Sequence, residues 1–248
     1  MTMKMLKTLV NLLAIGVFLY AGSQLFLIFY DYYENRQNMN NVQEIYRADE
    51  HEPNTQTTGL RAQFEPLKEL NEDIIGWITV DDTAIDYPIL QTRDNDYYLT
   101  RNYLREETRA GSIFMDYRNN ISDEEDLNTV IYGHRMKDGT MFAGLKKYLD
   151  SSFFNKHQVI YYDTLYQGYD LEVFSVYQTK TDFYYIDTDF SSDKEYGDFI
   201  HSLKEKSVHE TDVQITGNDR IVTLSTCDYS LDRTEGRLVV HAKLVERG

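Results

Sequence analysis

The 248-residue sequence predicts a mainly β domain, an antiparallel barrel or sandwich carrying helical insertions, behind one transmembrane helix. Three observations lead there. After residue 60, about eight short segments rich in β-branched and aromatic residues are bounded by turn-forming or acidic residues. Helical candidates are fewer and do not alternate regularly with them, which argues against a parallel α/β sheet. One long apolar run occupies the amino terminus.

The apolar run extends from Thr8 to Tyr30, about two dozen residues, and is long enough to span a bilayer. A cleaved signal peptide would have a shorter apolar region ending in small residues. Ala21-Gly22-Ser23 is a weak site of that kind, and apolar residues continue past it through Phe29. Residues 8–30 are therefore read as an uncleaved signal-anchor. Lys4 and Lys7 precede it and an acidic, polar sequence follows, which places residues 1–7 in the cytoplasm and the remaining chain outside the cell membrane. Tyr30, Tyr32 and Tyr33 suit the aromatic belt at the interface.

Residues 31–59 have few apolar residues and end in a Pro/Asn/Thr/Gly cluster. They read as a stalk, able to be helical in the first half. From Leu60 the pattern changes, and residues 60–248 form the exterior domain, enough for one sizeable core and few for two. Leu60, Phe64, Leu67 and Leu70 recur at helical spacing. "IIGWITV" and "AIDYPIL" then read as strands joined by the acidic turn Asp81-Asp82-Thr83. "SIFMD", "LNTVIYG", "QVIYYD", "YDLEVFSVYQT", "RIVTLST" and "RLVVHAKLV" follow as strands, with helical candidates at 94–101, 140–149 and 193–206.

Both basic residues of the first thirty lie in the tail, so the exterior part has 23 Lys and Arg against 41 Asp and Glu, a formal charge of −18. Such a surface argues against nucleic acid or anionic lipid as a partner. The run Asp123-Glu124-Glu125-Asp126 lacks the alternating ligands and the glycine of a calcium loop and reads as a solvated loop. No internal repeat, Gly-rich phosphate loop or paired-cysteine metal pattern is present.

Cys227 is the single cysteine. In an oxidising exterior it can make no internal disulfide, which leaves an intermolecular bridge, a reactive thiol or an inert buried side chain. Strand alternation puts Ile221, Thr223, Ser225 and Cys227 on one face of "RIVTLSTC", and Arg237, Val239, His241 and Lys243 on one face of "RLVVHAKLV". Nine residues separate Cys227 from Arg237, so antiparallel neighbours joined by a loop are the simplest arrangement, with thiol and guanidinium flanking the loop mouth. An Arg at the start of a strand is ordinarily a surface residue. Beside a thiol it supplies a fixed cation and rigid donors for an oxyanion or a peptide carbonyl, although Asp228, Asp232 and Glu235 oppose ionisation.

A thiol that forms an acyl intermediate needs a proton donor for the leaving amine, ordinarily histidine. His51 lies in the stalk, and His157, His201 and His209 sit in polar surroundings near element ends. His241 is mid-strand and four residues further from the loop mouth than Arg237. His134 stands at the end of the strand "TVIYG", where sites tend to be built, and is the preferred partner.

"TLSTC" followed ten residues later by "RLVVHAKL", with "IYGHRMKDGTMFAGL" far upstream, resembles the sortase family and within it class B. "LNEDIIGWITVDDTAIDYPILQTRDNDYYL" is similar to the opening segment of that class, so the resemblance covers most of the exterior domain. It implies an eight-stranded sortase β-barrel with helical insertions and an N-terminal helical region, in a membrane-anchored cysteine transpeptidase of Gram-positive type that needs no metal or other cofactor. It assigns Cys227 as nucleophile, His134 as acid and base, and Arg237 as holder of the substrate backbone or oxyanion. It further implies substrate contacts at Asn95, Leu99, Tyr132, Tyr185, Ile186, Ser225 and Asp228, of which Leu99, Tyr132 and Ile186 could equally be core. The implied partners are secreted proteins with a C-terminal sorting motif of Asn-Pro-x-Thr type, and an amine of a peptidoglycan precursor or of a pilin. Two other readings stand beside this one: a cysteine peptidase that only hydrolyses its thioester, and a membrane-tethered binding or sensor module with an inert thiol.

Overall fold

No proline interrupts the chain before Pro53, and the first helix, α1, runs unbroken from Met3 to Ala48. The structure, a computed structural model, describes residues 3–48, 59–120 and 126–247; the end of the expected stalk with His51, and Asp123 to Glu125 of the acidic run, lie outside them. The chain divides into two units, residues 1–40 and 41–248. In the first, the helix is apolar all round, with Leu13 69% and Phe18 76% exposed. A helix in water does not keep such a surface, and this one is long and apolar enough to cross a bilayer.

The second unit contains eight strands: β1 Ile74–Thr79, β2 Asp86–Leu90, β3 Ile113–Met115, β4 Asn128–Tyr132, β5 Val159–Thr164, β6 Gly168–Lys180, β7 Ile221–Cys227 and β8 Gly236–Glu246. They close into a barrel in the order β1-β2-β3-β4-β7-β8-β6-β5. Every expected strand is present, and the barrel rather than the sandwich is formed. Pairing is antiparallel except for β2 with β3 and β4 with β7. Closure removes the free edges that an open sheet of this size would expose.

Three α-helices and three 3₁₀ segments accompany the strands among the described residues of this unit. The segment expected to be helical at 94–101 makes only a 3₁₀ turn at Tyr97–Leu99. Asp94 is the reason: its Oδ1 accepts from the backbone N–H groups of Asp96 at 3.0 Å and Tyr97 at 2.9 Å, an Asx turn that competes with a helix. The stretch 140–149 becomes a 3₁₀ helix at Phe142–Leu149, followed by α3, Ser151–Lys156, which sequence periodicity did not reveal. Helix α2 spans Glu65–Leu70 after a 3₁₀ turn. Helix α4 spans Asp193–Lys206 as expected; Ser192 Oγ accepts from Glu195 N at 3.3 Å, while Glu195 Oε2 accepts from Ser191 N at 2.8 Å, an N-terminal box in which both donors are satisfied.

Helix α4 packs on the outer face of β6, β7 and β8 through Tyr196, Ile200 and Leu203, against Phe174, Tyr177, Ile221 and Val239. Alternation then turns Val222, Leu224, Val240 and Ala242, all fully buried, toward the barrel interior. Strand β7 is thus covered on both faces, and its row Thr223-Ser225 is buried rather than merely polar.

At the far side of the barrel, the last turn of α1 docks on β1. The Tyr46 ring stacks on Trp77 at 4.1 Å with planes 2° apart, and its hydroxyl donates to Asp163 Oδ2 at 2.7 Å. Arg61 holds the other oxygen of Asp163 at 2.7 Å. Burial, reinforced by the Asp163 charge, pushes the Tyr46 phenol far above its usual range, so it remains a donor. Tyr46→Ala removes a stacked ring and leaves Asp163 short of a donor; chemical denaturation should show a loss of about 3 kcal/mol.

Candidate active site

Strand β4 lies parallel beside β7, with Tyr132 opposite Ser225. Parallel neighbours leave a sheet at the same edge, so His134 and Cys227, each two residues further along its strand, emerge side by side. The amide of Gly133 carries the ladder on by donating to the Ser225 carbonyl at 3.2 Å. On the other side, β8 runs antiparallel to β7 and places Arg237 directly opposite Cys227. Two glycines make these approaches possible. A Cβ on Gly133 would stand 2.4 Å from Ile113 Cδ1, and one on Gly236 would stand 2.1 Å from the Asp228 carbonyl oxygen.

The three side chains are held differently. His134 Nε2 lies 2.7 Å from the Leu99 carbonyl. A carbonyl only accepts, so Nε2 carries a proton and Nδ1 is the nitrogen left for exchange. The loop after His134 closes where its carbonyl accepts from Phe142 N at 2.9 Å. Arg237 Nη1 donates to the carbonyls of Thr234 at 3.0 Å and Gly236 at 2.9 Å, which aims the guanidinium from its root. Cys227 is half-buried, in no disulfide, and hydrogen-bonds the Tyr229 side chain.

Cys227, His134 and Arg237 share the wall of one cleft of about 220 Å³ with Asn95, Leu99, Tyr132 and Ser225. Asp96, Phe114 and Thr226 also line it, none of them singled out in the sequence. The other three expected contacts stand behind the wall. The buried Tyr185 hydroxyl meets Ser225 Oγ at 2.8 Å and bonds the Arg237 guanidinium; burial raises the phenol's pKa against both bonds. Ile186 packs on the α4 cluster, and its carbonyl accepts from Arg118 at 2.9 Å.

Asp228 is the departure from expectation. It is 1% exposed, and its carboxylate is turned away from the cleft, to Arg135 Nη1 at 2.6 Å, to Gln178, and to Ser230 N at 3.0 Å. Burial alone would raise its pKa; the bonds from Ser230, Gln178 and Arg135 prevail and hold it down at about 2. As a fixed anion it ties the loop after Cys227 to the loop that carries His134, and so supports the cleft without lining it. The adjacency of Arg135 to His134 was the only hint of this in the sequence.

Comparison with known proteins bears on the same residues. Residues 78–245 match the Sortase domain family. The chain belongs to the sortase family. It is 44% identical to sortase B of Listeria monocytogenes over 237 residues, 96% of each chain. It is 40% identical to sortase B of Staphylococcus aureus over 246 residues, 99% of each chain. Among solved structures, sortase B from Bacillus anthracis is 58% identical with a TM-score of 0.80, covering 89% of this chain and 100% of that one. A Staphylococcus aureus sortase B–substrate complex is 41% identical with a TM-score of 0.79, covering 87% of this chain and 98% of that one. The closed eight-stranded barrel is the class B sortase fold, and the activity is that of a cysteine transpeptidase.

In this sortase the histidine on the strand beside Cys227 has a structural task. His241 is fully buried on the same face as Cys227, opposite Thr223. Thr223 Oγ1 gives its one proton to Asn128 Oδ1 at 2.7 Å, so it accepts from His241 Nδ1 at 2.8 Å, and His241 Nε2 accepts from Tyr177 at 2.8 Å. Asn128 Nδ2 in turn donates to the Asp187 carbonyl at 2.8 Å, which anchors the segment that carries Tyr185. Burial pushes the imidazole down to about 3, so it stays neutral and keeps one donor and one acceptor. His157 and His209 are likewise committed, to Asp82 at 3.0 Å and to the Tyr148 carbonyl at 2.7 Å, and exposed His201 faces Glu205.

Because the unfolded chain takes up a proton at His241 near pH 6.5 and the folded chain does not until about 3, this group withdraws stability as pH falls through that window. Its share of the slope approaches about 1.4 kcal/mol per pH unit. Denaturation curves between pH 7 and 4 should show that part of the slope missing in His241→Gln.

Proposed function

We propose that this sortase cleaves an exported protein after the threonine of a C-terminal Asn-Pro-x-Thr type motif and joins it to an amine of a peptidoglycan precursor. One observation carries the reading: Cys227, His134 and Arg237 leave adjoining strands at one sheet edge and share one cleft.

The Cys227 proton passes to His134 Nδ1, and the sulfur attacks the threonine carbonyl carbon. Charge gathers on the carbonyl oxygen, where Arg237 offers donors that its loop carbonyls have already aimed. The C–N bond breaks as His134 returns its proton to the leaving amine, and a thioester remains on Cys227. An incoming amine then attacks, losing a proton to Nδ1; the C–S bond breaks and the thiolate recovers that proton. Throughout, the Leu99 carbonyl accepts from Nε2–H and steadies the ring in both charge states. Asn95, Leu99, Tyr132 and Ser225 line the path of the motif, with Tyr185 and Ile186 shaping it from behind.

The same proposal assigns residues 8–30 as the membrane anchor, 1–7 as a cytoplasmic tail, 31–59 as the stalk, and 60–248 as the catalytic domain at the outer face. The all-round apolar surface of α1 supports that anchor.

Cys227→Ala should abolish cleavage of a sorting-motif peptide, and His134→Ala and Arg237→Ala should each lose at least about 10² in turnover. Near-normal turnover in His134→Ala would remove it from the mechanism. Candidate amines added to the peptide assay should divert thioester from hydrolysis to ligation. A hydrolytic rate indifferent to every amine would leave a cysteine peptidase instead.

A further inference from the structure

Five hydrogen bonds converge on one buried carboxylate beside the cleft. Asp116 follows β3 and is fully buried. Its Oδ1 accepts from Arg118 N at 3.0 Å and Arg118 Nε at 2.9 Å. Its Oδ2 accepts from Arg118 Nη2 at 2.9 Å, Asn95 Nδ2 at 3.1 Å and the Tyr132 hydroxyl at 2.8 Å. The Arg118 guanidinium reaches onward, donating to the Tyr184 hydroxyl at 3.1 Å and the Ile186 carbonyl at 2.9 Å.

This carboxylate bonds directly to the 94–99 loop through Asn95 and to β4 through Tyr132, and Arg118 carries its hold on to the 184–186 segment. A buried ion pair placed only for stability has no reason to select two residues that line the cleft. Asn95 cannot flip, because its Oδ1 accepts from Tyr117 N at 3.0 Å while its Nδ2 faces Asp116. Tyr132 spends its only proton on Asp116, and toward a substrate its hydroxyl can only accept.

We propose that Asp116 is a positioning residue of this sortase, fixing Asn95 and Tyr132 directly and the Ile186 segment behind the wall through Arg118, so that substrate affinity depends on it more than the chemical step does. The functional half rests on the cleft being the path of the sorting motif; the positioning half does not.

The experiment compares the full-length chain with Asp116→Asn and Arg118→Gln by three measurements: kcat and KM with a sorting-motif peptide, alkylation of Cys227 by iodoacetamide, and amide hydrogen exchange. Asp116→Asn should raise KM about tenfold, the binding worth of roughly one hydrogen bond, with little change in kcat or in alkylation. Exchange should quicken in 94–99 and 184–187 together, whereas Arg118→Gln should quicken 184–187 alone and raise KM less. An unchanged KM, a loss confined to kcat, or faster exchange spread evenly over the barrel would overturn the proposal. Should Asp116→Asn fail to fold, the same readouts on Arg118→Gln decide it. A wild-type chain that never cleaves the peptide would sink the functional reading, and the exchange pattern would still judge the positioning.

Discussion

The parallel register of β4 against β7 is the constraint on which the rest of the site depends. Tyr132 opposite Ser225 determines that His134 and Cys227 leave the sheet together, although they are 93 positions apart in sequence. A slip of one residue would turn either side chain to the other face. The close approach is guarded by bulk: Gly133 is packed between Ile113 and Phe142, with no room for a Cβ. Strand β8 then adds Arg237 by ordinary antiparallel pairing.

That register has an energetic consequence. The row that ends in Cys227 lies on the outer face of the barrel, under α4 and the segment before it, so Thr223, Ser225 and His241 are taken out of water. Buried polar groups are costly unless paired. Here the pairing does structural work at no further burial: the chain from Tyr177 through His241, Thr223 and Asn128 ends on the carbonyl of Asp187, and Tyr185 returns to Ser225. The sheet that presents Cys227 also anchors the wall of its cleft. Asp116 and Asp228 extend the same logic, each a buried carboxylate whose partners come from separate segments of the chain.

Much of this was legible beforehand, for local reasons. The eight strands follow from β-branched and aromatic runs, α4 from the helical candidate at 193–206, and the facing of Cys227 and Arg237 from alternation and a short connection. Local chemistry also explains the failures. Asp94 diverts 94–101 into an Asx turn, and α3 is too short for periodicity to register. Sequence could not place Asp228, because an acid beside Cys227 looks the same whether it faces a substrate or an arginine across the loop.

The sequence by itself determined which residues can do chemistry, which face of each strand they occupy, and that an apolar helix precedes the domain. Tertiary structure alone decided that β4 and β7 are parallel neighbours, that the row beside Cys227 is roofed by α4, and that Asp116 and Arg118 serve two walls of one cleft. The physical reason is range. Alternation, capping and turn formation act over a few residues and leave their mark in the local pattern. Strand order and buried ion pairing join segments far apart in the chain, and only the folded barrel brings those partners together.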